Sequence, residues 1–167
     1  RKELQSNLDF EYVSLDELYK NSDIISLHCP LTSDTKYIIN SNNISKMKDG
    51  VMIINTGRGK LINTIDLIEG LKSKKIGAAG LDVYEEEADY FFEDHSTEIL
   101  DDDVLARLLT FNNVIVTSHQ AFFTKEALSN IAETTLKSVS ELESAKKLSY
   151  EIAYVCENGN CSPKDIK

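Results

Sequence analysis

The sequence predicts an α/β fold: a parallel sheet with helical connections, ending in one long C-terminal helix. Short, almost continuously apolar runs recur along the chain with helix-length segments between them, the pattern of strands buried in a parallel sheet. The connections are long enough for crossover helices rather than hairpins. Residues suited to chemistry fall immediately after the apolar runs, where open parallel sheets bind ligands.

Taken in order, Ser14-Leu15-Asp16-Glu17 has capping-box spacing and opens a short helix to about residue 20. Residues 23–28 form the first strand, stopped by Pro30. A short helix over 44–48 precedes the second strand, 51–55. Asn63 caps a helix to about residue 73, with Ile65, Leu67, Ile68 and Leu71 as its apolar residues. The third strand is 76–82; an acidic, aromatic loop over 84–95 leads to a helix over 104–109, and 114–117 is the fourth strand. Helices are expected on both faces of the sheet. From Thr124 to about residue 147 the spacing of Leu128, Ile131, Val139 and Leu142 describes one helix. In the tail, Tyr150, Ile152, Tyr154 and Val155 suit a strand or docking segment, and 157–167 reads as loose. The expected division is therefore 1–123, 124–147 and 148–167.

Composition narrows the partners. In 167 residues, 18 basic side chains face 28 acidic ones, a net charge of −10 that argues against nucleic acid and anionic membranes. No apolar stretch reaches the length of a membrane span, and no signal-peptide core opens the chain, so a cytoplasmic location is expected. The first residue is Arg1, and the chain is expected to be a piece of a longer one. Cys29, Cys156 and Cys161 are an odd set with no C-x-x-C; free thiols are expected over a Cys156–Cys161 disulfide. His28, His95 and His119 lie too far apart for metal-ligand spacing, so no metal is expected. The run Asp101-Asp102-Asp103 reads as a solvated face.

One rim remains to be explained. Gly57-Arg58-Gly59-Lys60-Leu61-Ile62 fails the dinucleotide fingerprint, because Ile62 stands where a third glycine allows close packing. An arginine between two glycines past a strand is better suited to holding a small carboxylate through its planar fork. Alone, His119 reads as a bystander at a strand end. Glu85, Glu86 and Glu87, leaving the neighbouring strand, change that reading: a carboxylate against an imidazole fixes its tautomer and favours the protonated ring a general acid needs.

Four stretches, SDIISLHCPLTSDTKYIIN, MKDGVMIINTGRGKLIN, KKIGAAGLDVYEEE and NVIVTSHQAFFTKEAL, resemble the D-isomer-specific 2-hydroxyacid dehydrogenases, in order and with that family's spacing from about Tyr12 to Leu142. HQAFFTKEAL and YFFED favour the lactate branch. The resemblance implies the second half of a Rossmann-type NAD-binding domain, incomplete here because the glycine-rich pyrophosphate loop and the substrate domain precede the first shared stretch. It implies that Arg58 binds the substrate carboxylate, His119 is the acid/base, and Glu87 is its carboxylate partner, with Glu86 a one-residue alternative. Asp82 would meet the nicotinamide end of NAD, Thr56 and Gly57 its ribose side, and Cys29 and Pro30 the adenosine side. The implied reaction is fermentative, NADH reducing a small 2-oxo acid such as pyruvate to the D-2-hydroxy acid, in an enzyme that is a homo-oligomer at full length. Two rivals stand beside it: a non-catalytic, dinucleotide-sensing binding protein of the corepressor type, and an inactive remnant.

Overall fold

A computed structural model describes residues 10–87, 101–120, 122–144, 147–150, 154–157 and 160–163. The chain divides into two compact units, Arg1–Ala121 and Phe122–Lys167.

The first unit runs α1 (Leu15–Asn21), β1 (Ile24–Leu27), α2 (Ser41–Lys46), β2 (Val51–Asn55), a 3-10 turn (Gly59–Leu61), α3 (Thr64–Lys72), β3 (Ile76–Leu81), α4 (Asp103–Leu109) and β4 (Val114–Val116). The sheet is parallel throughout, in the order β1-β2-β3-β4. Local chemistry sets the helix starts. Ser14 and Glu17 complete the expected capping box, each side chain bonding the other's backbone N–H. Asn63 Oδ1 accepts from Asp66 N–H at 3.1 Å to start α3. Asn40 does the same for α2 through Asn43 N–H, so that helix begins at Ser41, earlier than the apolar pattern suggested.

The expectation of helices on both faces is wrong for this unit. Strand order follows chain order, so each right-handed crossover steps the same way and drops its helix on the same side. α1, α2, α3 and α4 accordingly touch in sequence along one face. Ile25, Leu27, Val51, Ile53, Ile76 and Leu81 point into the core beneath them, with Leu67 and Leu108 fully buried from the helices. On the other face Ile24, Met52 and Ile115 are exposed; Ile115 retains 68% of its surface. β4, expected to be buried, is half exposed, because it is an edge strand among the described residues.

The second unit holds α5 (Lys125–Glu143), started by Thr124, whose Oγ1 accepts from Ala127 N–H. It ends at Glu143, four residues short of expectation, and none of its described side chains is buried. Leu128, Ile131, Val139 and Leu142 all lie exposed on it. In the tail, β5 (Tyr154–Glu157) and β6 (Asn160–Pro163) pair antiparallel, so the described residues of the segment expected to be loose form strand instead. The two-residue link in the sequence, Asn158-Gly159, is the strongest short hairpin signal a sequence carries. The acidic loop beyond Glu87, with His95 and the YFFED stretch, and Ile152 in the tail lie outside the described residues.

Candidate active site

The strands end level. Leu27, Asn55, Leu81 and Val116 make the last paired rung across the sheet, and His28, Thr56, Asp82 and Thr117 follow as the next residues along each strand. Every sequence-predicted site residue sits on or just past this rim.

Beyond β2 the turn is shaped by Asn55, which is 1% exposed. Its Oδ1 accepts from Gly57 N–H at 3.1 Å and its Nδ2 donates to Arg58 C=O at 2.9 Å, closing the loop on itself. The flanking glycines are not equivalent. A Cβ on Gly59 would stand 2.0 Å from the Tyr84 carbonyl oxygen, so that position must be bare; one on Gly57 would make only ordinary contacts, the nearest 3.4 Å from Leu61. Neither has a positive φ, so the tight turn comes from the asparagine and one close approach, not from left-handed glycines. The exposed Arg58 guanidinium donates to Gly57 C=O, and among the described residues no carboxylate pairs with it. His28, Cys29, Pro30, Leu31, Gly57 and Arg58 line a groove of about 670 Å³ between the ends of β1 and β2.

Beyond β3 and β4 the two loops are locked together through Asp82, which is 7% exposed. Its Oδ1 accepts from Thr117 Oγ1–H at 2.5 Å and from Gln120 N–H at 2.9 Å, while its carbonyl accepts from His119 N–H at 2.6 Å. The clasp holds Ser118 and His119 at φ 53° and 55°, left-handed positions costing a non-glycine residue roughly 1–2 kcal/mol each. His119 Nδ1 then lies 3.3 Å from Glu87 Oε1. Glu87 is steadied in turn by Tyr84 N–H, which donates to its Oε2 at 3.1 Å.

The three consecutive glutamates do three different things. Glu85 accepts from Thr64 N–H at the start of α3 and from the Tyr37 hydroxyl. Glu86 meets Lys60 at 3.4 Å on the surface. Only Glu87 reaches the histidine. His28 bonds Ser26 Oγ and faces the groove beside Cys29. The Asp101–Asp103 run is not merely a solvated face. Asp102 Oδ1 caps α4 through Val104 and Leu105 N–H, and its Oδ2 accepts from the buried Tyr84 hydroxyl at 2.7 Å. Burial first, and that hydrogen bond second, hold the Tyr84 phenol well above the ordinary tyrosine range.

The sequence does not reveal the contacts of Asn55, Thr117, Glu85 and Asp102. Asn55 did carry a signal, since Asn-Thr-Gly after a strand is an Asx-turn pattern; Thr117 carried none. Among the described residues no cluster of histidine, cysteine or carboxylate fits a metal ion, and no helix is long and apolar enough to cross a membrane.

A parallel sheet with its polar groups gathered at the carboxyl rim, and a ligand-sized groove beside them, is a Rossmann-type nucleotide-binding domain. The chain belongs to the D-isomer specific 2-hydroxyacid dehydrogenase family, whose NAD-binding domain matches residues 1–121. It is 50% identical over 145 residues to a D-lactate dehydrogenase of Escherichia coli, covering 87% of this chain and 44% of that protein. To an aromatic 2-oxoacid reductase of Clostridium sporogenes it is 54% identical over 133 residues, 80% of this chain and 40% of the other. Among solved structures, the D-lactate dehydrogenase of Aquifex aeolicus complexed with NAD and lactic acid matches with a TM-score of 0.74 and 40% identity, over 87% of this chain and 44% of that one. The chain thus spans about two fifths of the length of the curated relatives it matches.

Proposed function

We propose that this chain is the C-terminal part of an NAD-dependent D-2-hydroxyacid dehydrogenase, reducing pyruvate to D-lactate. The observation that carries the reading is the pairing of His119 with Glu87 on the strand rim, two strands from Arg58. Neighbouring strands lie about 4.8 Å apart, so the ends of β2 and β4 are separated by about 10 Å, room for a three-carbon acid between an arginine and a histidine.

Arg58 receives the substrate carboxylate. Its planar fork offers two parallel N–H donors, and the turn that presents it is fixed by Asn55. His119 gives a proton to the carbonyl oxygen during reduction and takes it back in the reverse direction. Glu87 holds the ring through Nδ1, and the proton transfer is assigned to Nε2. Bound NADH supplies the hydride. The groove suits that cofactor: about 670 Å³ with Pro30 and Leu31 in its wall lies in the range of small-molecule sites, with Cys29 and Pro30 toward the adenosine side. Thr56, Gly57 and Asp82 take the nicotinamide side.

The similarity to an aromatic 2-oxoacid reductase favours a second reading of the substrate alone, with a larger side chain beside the same carboxylate and carbonyl. The test is a panel of pyruvate, straight-chain and aromatic 2-oxo acids with NADH or NADPH on the full-length protein. Fastest turnover of pyruvate with NADH is expected. Preference for an aromatic acid moves the assignment to the second reading, and failure to oxidise NADH with any 2-oxo acid overturns both.

A further inference from the structure

The tail places two cysteines in a register that the dehydrogenase reading does not use. β5 and β6 pair so that Glu157 faces Asn160 and Cys156 faces Cys161. Only Asn158 and Gly159 separate the closing pair, and both residue types favour the positive φ angles a two-residue hairpin loop demands. In such a loop the closing pair is hydrogen-bonded across the turn. The next pair outward is then of the non-hydrogen-bonded kind, for which Cα atoms lie about 4.5 Å apart. Bridged cysteines have Cα separations of roughly 4.4–6.8 Å. A non-hydrogen-bonded pair in this register therefore falls within the spacing a disulfide demands.

We infer that Cys156 and Cys161 are a thiol-oxidation site: a dithiol that a small-molecule disulfide converts into a cross-strand clasp on the hairpin. One thiolate attacks the external disulfide, forming a mixed disulfide and releasing one small thiol. The second thiolate attacks the protein sulfur of that bond and expels the other. Two protein thiols are oxidised, one external disulfide is reduced to two thiols, and no other oxidant is consumed. The second step is intramolecular across neighbouring residues, so the mixed disulfide does not accumulate. Cys29, in the other unit, has no such neighbour in register and serves as an internal control.

The test is incubation of the 167-residue chain with oxidised glutathione, alkylation of remaining thiols, and tryptic mass mapping. Both cysteines fall in one tryptic peptide, residues 148–164, because no lysine or arginine separates them. That peptide should lose the mass of two hydrogens and take up neither glutathione nor alkylating agent. Cys156→Ser should stop at the mixed disulfide, with one glutathione on Cys161. Gly159→Val puts a β-branched residue at a sequence position where a two-residue hairpin loop favours positive φ, and should lower the equilibrium constant for clasp formation about tenfold. Separate glutathionylation of both cysteines, a bridge from either to Cys29, or a clasp indifferent to Gly159→Val each overturn the inference. None of these readouts depends on dehydrogenase activity, so the outcome is independent of the proposed function.

Discussion

Gly59→Ala is the substitution most directly computed from the structure. The added Cβ would sit 2.0 Å from the Tyr84 carbonyl oxygen, 2.1 Å from its carbon and 2.6 Å from Glu85 nitrogen. All three are backbone atoms, so no rotamer change relieves the clash. Restoring ordinary contact at 3.4 Å moves the Tyr84–Glu85 peptide back by about 1.4 Å. That segment carries Glu85 to Thr64 N–H at 2.6 Å and positions Glu87 at 3.3 Å from His119, so a shift of this size breaks the first and opens the second beyond hydrogen-bond reach. Overpacking of this kind costs about 1–3 kcal/mol, and the lost bond to a carboxylate adds roughly 1.5 kcal/mol or more. Urea unfolding of this chain should show a midpoint lower by at least about 1 M, given the usual slope of roughly 1–3 kcal/mol per molar. Gly57→Ala, whose Cβ meets nothing nearer than 3.4 Å, should change stability by less than about 1 kcal/mol. Equal effects at the two glycines, or no loss at Gly59, would refute the reasoning.

Four further outcomes follow. Thr117→Val removes the hydroxyl that Asp82 uses to hold the left-handed His119 loop. In the full-length enzyme it should lower kcat by about tenfold or more with little change in the KM for NADH; Thr117→Ser should restore it, and an unaltered kcat in the valine variant denies Thr117 a positioning role. Arg58→Lys should raise the KM for the 2-oxo acid far more than that for NADH, whereas His119→Ala should reduce kcat by roughly a hundred- to ten-thousand-fold; steady-state kinetics separates the two. Tyr84 holds its proton in the folded state to well above pH 10, while the unfolded chain releases it near pH 10, so the folded state binds more protons there and stability falls as pH rises. Tyr84→Phe should therefore be less stable at pH 7 but show a flatter decline above pH 10, and urea titrations across that window decide it. Finally, the 167-residue chain alone should bind NADH only weakly and turn over no 2-oxo acid; micromolar affinity by calorimetry would contradict that.

The strands were legible because each is a compact apolar run ended by a polar residue, and the helix starts because Ser14, Asn63 and Thr124 announce themselves as caps. What the sequence concealed was relational. Which glutamate reaches His119 depends on the turn after Asp82, and three adjacent identical side chains offer no local clue to their three directions. Asp82 and Thr117 are 35 residues apart, so their clasp exists only once β3 and β4 are paired. The one-sided placement of the helices was available in principle from strand order, but strand order is itself a tertiary fact. The tail differs for another reason: the apolar residues of β5 lie on one side of the turn only, and the hairpin is signalled instead by the Asn158-Gly159 pair.

Because strand order equals chain order, the sheet can be assembled as a queue. β2, β3 and β4 each pair with the strand emerging just before, so none of these three waits for a distant partner and each crossover helix seals its own rung as it arrives. Among the described strands of this sheet, β4 is the last to join. His119 lies in the loop that closes only at that final addition. The His119–Glu87 pair at this rim is thus the last described feature of the unit to form, and a chain interrupted before Val114 would already possess its groove and its arginine while lacking that pair.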